Sequence, residues 1–202
     1  MDMKFVVITL PDFFDDEVKY ICDLFENGLQ LLHLRKPKAS ADEIEEFLKK
    51  IPSYFHPKII LNDHFSLLEH FQLKGVHLNG RNPIAPPNWA GHISRSCHTL
   101  EEVAKIKPMC DYLFLSPIFN SISKKGYSSA FSEEVLLNAK KENIIDEKVI
   151  ALGGMEADKC ALIRKWGFGG AAFLGDVWNP FLESGSRQGI AHFKSLQLAL
   201  QA

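Results

Sequence analysis

The sequence lacks most of what would announce a specialised class of protein. Its formal net charge is −2, so the basic footprint of a nucleic-acid-binding domain is missing. No apolar run approaches the ~20 residues that span a bilayer. The opening MDMKFVVITLPDFF has neither a basic start nor a small-residue cleavage site. A cytoplasmic protein is expected, with no nucleic-acid or membrane partner. Cysteine is sparse: Cys22, Cys97, Cys110 and Cys160 form no C-x-x-C pair, and reduced, mostly buried thiols are expected. Cys97 stands beside His98, but neighbours on a strand point to opposite faces, which argues against a thiol–imidazole dyad. There is no low-complexity tract and no break in composition, so one domain over 1–202 is expected.

What the chain has is alternation. Eight short apolar runs are FVVITL, LQLLHLRK, KIILND, GVHLN, HISRSC, YLFLSPI, KVIALGG and GGAAFLGDV. Helical patterns lie between most of them. Ser40 with Glu43, and Thr99 with Glu102, have capping-box spacing. Gly28 and Gly167 follow helical stretches as stop signals. The segment GRNPIAPPNWAG holds three prolines and reads as a loop. Strands alternating with helices predict a parallel sheet buried on both faces. A closed barrel and an open doubly wound sheet both satisfy that pattern. The open dinucleotide-binding sheet requires G-x-G-x-x-G in its first βα turn, and TLPDFFDD has no glycine. The expectation is a single-domain α/β protein, a (β/α)8 TIM barrel.

In that fold the chemistry lies at the C-terminal ends of the strands. Those ends carry Thr9, His33, Arg35, Lys36, Asn62, Asp63, His64, His77, Asn79, Ser94, Ser96, His98, Ser116, Gly153, Gly154, Gly175 and Asp176. Alternation puts His33 with Arg35, and Ser94 with Ser96 and His98, on common faces. An arginine at a cavity mouth suits a carboxylate or phosphate, whose geometry its planar fork matches. Gly153 and Gly154 follow the seventh run and Gly175 the eighth, where this fold cradles phosphate. Glycine lets backbone N–H groups approach the oxygens, and a helix N-terminus adds a favourable field. Asp176 is discordant there unless it turns away. The sixth loop, SPIFNSISKKGYSS, offers Ser121, Ser123 and Lys124 as a flap over an anion.

Taken in series, LLHLRK, IILND, GVHLN, RSCHTLEEV, DYLFLSPIFNSISKKG and VIALGGM resemble the thiamine phosphate synthase / TenI superfamily over essentially the whole chain. The resemblance implies a barrel working in thiamine biosynthesis on a small-molecule thiazole phosphate; a homo-oligomer is left open. Its synthase branch joins hydroxymethylpyrimidine pyrophosphate to thiazole phosphate with Mg²⁺. That pattern has Q-x-R-x-K on strand two, N-D after strand three and a Q-E-D aspartate after strand four. Here Arg35, Asn62 and Asp63 match it. His33, Pro37 and Asn82 depart from it, with Lys36 or Lys38 as candidate replacements for the lysine and Asp63 as the metal carboxylate. The TenI branch is a thiazole tautomerase that needs no metal or other cofactor, and LHLR, RSCHTLEE and SKKG lean toward it. On that favoured reading His98 is the proton-transfer residue and the enzyme is an isomerase. Arg35, His33, Asn62, Ser96, Ser121, Ser123 and Lys124 would bind substrate, with phosphate on Gly153, Gly154 and Gly175. The alternatives are the synthase, with Mg²⁺, and a non-catalytic phosphate-binding barrel. A metal site drawing on His33, His77, His98 and Asp63 is a more remote reading.

Overall fold

The structure is a computed structural model and describes residues 2–119 and 131–202. Eight parallel strands close into a barrel in chain order, β1 pairing with both β2 and β8. They are β1 Lys4–Ile8, β2 Leu31–Leu34, β3 Ile59–Leu61, β4 Gly75–Leu78, β5 His92–Cys97, β6 Tyr112–Leu115, β7 Val149–Leu152 and β8 Gly170–Phe173. The helices are α1 Glu17–Glu26, α2 Ala41–Lys49, α3 Leu100–Ile106, α4 Glu133–Lys141, α5 Cys160–Lys165 and α6 Gly175–Gln201. A 3₁₀ segment, Phe65–Glu69, follows β3, and the proline-rich stretch after β4 is a loop.

Each strand serves two layers because its side chains alternate. Val7, Leu32, Leu34, Ile59, Leu61, Leu113, Leu115, Val149 and Phe173 face outward into the core shared with the helices. Val6, Ile8, Ile60, Tyr112, Phe114, Ile150 and Ala172 fill the barrel interior. Apolar residues on both faces explain why the strands read as nearly continuous apolar runs.

The helix signals are realised with one shift. Ser40 accepts from the Glu43 amide while the Glu43 carboxylate returns to the Ser40 amide. At α3 the Thr99 hydroxyl accepts from the Glu102 amide at 3.2 Å, but the Glu102 carboxylate reaches the His98 amide at 2.7 Å. The cap thereby also fixes the backbone of His98. Helix α6 is broken at Gly185, whose φ of 76° is non-helical. Its first half is pinned to the barrel by the wholly buried Trp178, whose indole N–H donates to the Ile8 carbonyl at 2.7 Å. Phe193, Leu196 and Leu200 of its second half are buried.

No helix among the described residues is long and apolar enough to cross a membrane. All four cysteines are free, and Cys97, Cys110 and Cys160 are buried. Burial pushes the Cys97 thiol up to about 12, so it is no thiolate at neutral pH.

Candidate functional site

Below the mouth the barrel holds a dry polar network. His33 is 0% exposed; its Nδ1 lies 3.2 Å from Asn62 Oδ1 and its Nε2 meets the Tyr112 hydroxyl. An amide oxygen only accepts, so Nδ1 carries the proton and Tyr112 donates to Nε2. His77 Nδ1 lies 2.9 Å from Ser94 Oγ, and Ser94 donates to the Val76 carbonyl at 3.3 Å. His77 Nδ1–H is therefore the donor to Ser94, and Nε2 accepts from the Ser96 hydroxyl at 2.8 Å. The two imidazoles meet edge to face, centroids 4.8 Å apart. Burial, then the neighbouring imidazoles, holds His33 well below its ordinary range, and burial with His92 and Arg35 takes His77 to about 3. Both are neutral at pH 7. His33 was expected to touch substrate at the mouth; with both ring nitrogens engaged and no exposure, it forms the floor instead.

Above this floor the strand ends carry charge. Arg35 is half-buried beside Arg81 and Asp63, both of which act on its guanidinium. Asp63 accepts Arg81 Nε and Nη2 at 3.0–3.1 Å, and Asn82 Nδ2 at 2.8 Å. Asn79 and Asn82 both donate to the Asn62 carbonyl, lacing the loop after β4 to the end of β3. Arg81 was absent from the sequence-derived site.

Lys36 cannot replace the missing family lysine. The alternation that aims Arg35 at the mouth aims Lys36 outward. There its ammonium bonds both Glu17 oxygens at 2.7 Å and the Asp12 carbonyl at 2.9 Å, over the Phe13 ring. Lys38 is an exposed surface partner of Asp12.

The opposite side of the mouth is built on the glycine turn after β7. Gly153 and Gly154 have φ of 100° and 61°, a left-handed turn that disfavours any side chain. A Cβ on Gly153 would lie 3.1 Å from Pro117. The sixth loop starts along this turn, with Ile118 and Phe119 amides donating to the Leu152 and Gly153 carbonyls at 3.0 and 3.1 Å. Gly175 opens α6, where the Val177 and Trp178 amides both donate to the Leu174 carbonyl at 3.2 and 3.1 Å; a helix N-terminus is a favourable place for an anion. Asp176 does turn away: its Oδ1 accepts from His192 Nε2 at 3.0 Å, across the α6 break. His98 is exposed, and its Nδ1–H donates to the Ser116 carbonyl at 3.0 Å. Among the described residues its Nε2 has no partner. Ser121, Ser123 and Lys124 lie outside the described residues.

The three imidazoles of a metal reading do not converge. Two lie in the interior and His98 lies at the rim. Among the described residues no group of three or more His, Cys, Asp or Glu side chains could hold a metal ion.

Comparison with known proteins identifies a family. Residues 5–177 match the family model described as thiamine monophosphate synthase. The thiamine-phosphate synthase of Bacteroides thetaiotaomicron is 27% identical over 164 residues, 75% of this chain and 78% of that one. The thiamine-phosphate synthase of Photorhabdus laumondii is 23% identical over 171 residues, covering 80% and 79%. A crystal structure of thiamine phosphate pyrophosphorylase from Bacteroides thetaiotaomicron superposes with a TM-score of 0.89 at 46% identity, over 98% of this chain and 97% of that chain. These relatives are transferases, which overturns the expected isomerase. The reason lies in the motifs that favoured it. LHLR places a buried histidine, the histidine of RSCHTLEE has a counterpart in synthases, and SKKG lies outside the described residues. The chain belongs to the thiamine monophosphate synthase family, whose work is thiamine biosynthesis.

Proposed function

We propose that this chain is a thiamine-phosphate synthase. It joins the methylene carbon of hydroxymethylpyrimidine pyrophosphate to the nitrogen of thiazole phosphate. The C–O bond to diphosphate breaks with its electron pair leaving on oxygen. The nitrogen lone pair forms the new C–N bond, and pyrophosphate departs. The observation that carries this reading is the two-ended mouth: a glycine cradle with a helix N-terminus on one side, and Arg35 with Arg81 on the other. Two substrates that each carry phosphate require two such ends.

The roles follow from chemistry. Gly153, Gly154 and the Gly175 turn receive the thiazole phosphate. Arg35 faces the diphosphate, where its fixed charge stabilises the negative charge that grows on the leaving oxygen. Asn62 and Ser96 are locked by the floor network, so the surface beneath the reacting atoms is rigid. The joining step moves no proton at the attacking nitrogen. His98 therefore serves as a binding group, its Nε2 turned to substrate and its Nδ1 anchored on Ser116. Ser121, Ser123 and Lys124 belong to the loop that follows.

The resemblance implies Mg²⁺ for synthases, and the donors here do not fit it. Asp63 is the carboxylate that the synthase pattern assigns to the metal, and Arg81 and Asn82 occupy both its oxygens. Mixing the protein with both substrates, with and without Mg²⁺, and following ³¹P NMR tests the reading. Pyrophosphate and thiamine phosphate should appear in equal amounts. Pyrophosphate release without the joined product, or no release, would sink it.

A further inference from the structure

The synthase pattern seats a divalent cation on two carboxylates, one after β3 and one after β4. In this chain the second position is Asn82, and the first carboxylate already holds a cation. Arg81 spans Asp63 through Nε and Nη2, touching both oxygens at 3.0–3.1 Å, and Asn82 adds an amide N–H at 2.8 Å. The arrangement is built into the loop. Asn79 Oδ1 accepts from the backbone N–H groups of Arg81 and Asn82 at 3.0 and 3.2 Å, a tight turn that sends the Arg81 side chain back over Asp63. The Asn79 and Asn82 amides then anchor that turn on the Asn62 carbonyl at 2.8 and 3.1 Å. Asp63 is the inner partner at 12% side-chain exposure and Arg81 the outer at 46%. Arg35 adds a second guanidinium to the same carboxylate's surroundings. Among the described residues neither Arg81 Nη1 nor the Arg35 guanidinium donates a hydrogen bond.

The geometry points to Arg81, seated on Asp63, as the cation for the substrate's diphosphate, so that this chain binds diphosphate without a divalent metal. The inference rests on the synthase reading. A guanidinium fork matches phosphate oxygens in pairs. Mg²⁺ would need a near-octahedral set of oxygens, but Asn82 turns its N–H to Asp63. Seating Mg²⁺ there would also break the Arg81 bonds and press a dication against the displaced guanidinium. With Arg35, Arg81 gives two cations to one carboxylate, and the excess positive charge faces the leaving group. As the C–O bond breaks, the electron pair settles on a diphosphate oxygen beside these two donors.

Calorimetric titration of the intact protein with inorganic pyrophosphate, in EDTA and in Mg²⁺, tests this. The two dissociation constants should agree within about threefold. Arg81→Gln should weaken binding in EDTA by about tenfold or more, the worth of a charged hydrogen bond. Asn82→Asp supplies the second carboxylate, should weaken metal-free binding, and should make Mg²⁺ restore it. Pyrophosphate binding only with Mg²⁺, or binding in EDTA that Arg81→Gln leaves unchanged or tightens, overturns the inference. Product formation from both substrates, run in parallel, separates the two claims. Product and pyrophosphate binding that both require Mg²⁺ leave the synthase reading standing and the inference wrong. Metal-free, Arg81-dependent pyrophosphate binding with no product under either condition leaves the inference standing and the synthase reading wrong.

Discussion

Two neighbouring residues of one strand end, Arg35 and Lys36, lie in opposite worlds. Lys36 and its partner Glu17 are 0% and 1% exposed, sealed between α1, α2 and β2 under three phenylalanine rings. Arg35 stands at the mouth near the Arg81–Asp63 pair, which water reaches. Both places join a cation to a carboxylate, yet they do different things. The buried pair has no room for a ligand, and its geometry holds the entry to α1 against β2. The mouth pair leaves guanidinium N–H groups facing outward, so its charge remains available to an anion. A strand's two-residue period is what separates structural charge from functional charge here.

Breaking the buried pair should have the largest effect. Lys36→Met leaves Glu17 charged, dry and alone, at a cost of about 3–5 kcal/mol in urea unfolding. Pairing it with Glu17→Leu should recover most of the loss, because two apolar side chains need no partners. A single-variant cost under about 1 kcal/mol would mean the pair is hydrated after all.

The second effect comes from the floor. His77 has a folded pKa of about 3 against an ordinary value of 6.5. A depressed histidine binds protons more readily unfolded, so its contribution is full above pH 6.5 and shrinks as pH falls toward 3. The expected loss is about 3 kcal/mol between pH 7 and pH 4, at 1.36 kcal/mol per unit. Urea midpoints measured across that range should fall steeply, and His77→Gln should flatten the curve. An equal slope in the variant would place the acid sensitivity elsewhere.

Gly153→Ala should cost about 2 kcal/mol, since a side chain at that positive φ is strained and its Cβ crowds Pro117. It should also weaken inorganic phosphate binding while sparing pyrophosphate binding at the arginine side. Equal weakening of both would show that the mouth is one site rather than two ends.

The smallest stability change belongs to the mouth pair. Arg81→Gln should shift unfolding by no more than about 0.5–1 kcal/mol, as exposed ion pairs do, although its effect on pyrophosphate binding is large. A destabilisation comparable with that of Lys36→Met would erase the contrast between the two pairs.

The barrel was legible because its signals are local. Apolar runs, the Ser40 box, the Gly28 stop and the proline-rich loop each act within a few residues. The candidate rim was legible once the barrel fixed which strand ends to read. The expectation that Lys36 replaces the family lysine overlooked the same alternation rule, since residues 35 and 36 must diverge. Other features were not local. Arg81 lies three residues past the end of β4, and its partner Asp63 is 18 residues earlier; the asparagine turn brings them together. His33 looked like a mouth residue because the barrel's depth, which sinks it beside Tyr112 and His77, is a tertiary property. The misjudged reaction class has the same origin. Short motifs around His33 and His98 carried weight before their positions were known.

The most direct measurement follows the transferred carbon. Hydroxymethylpyrimidine pyrophosphate labelled with ¹³C at the methylene is mixed with thiazole phosphate and the protein, and ¹³C NMR reports what that carbon becomes bonded to. The signal should move to that of a carbon bonded to the thiazolium nitrogen, at a rate that falls when Arg35 is replaced by Gln. A methylene that stays on diphosphate, or that moves only to the free alcohol, would contradict the synthase reading.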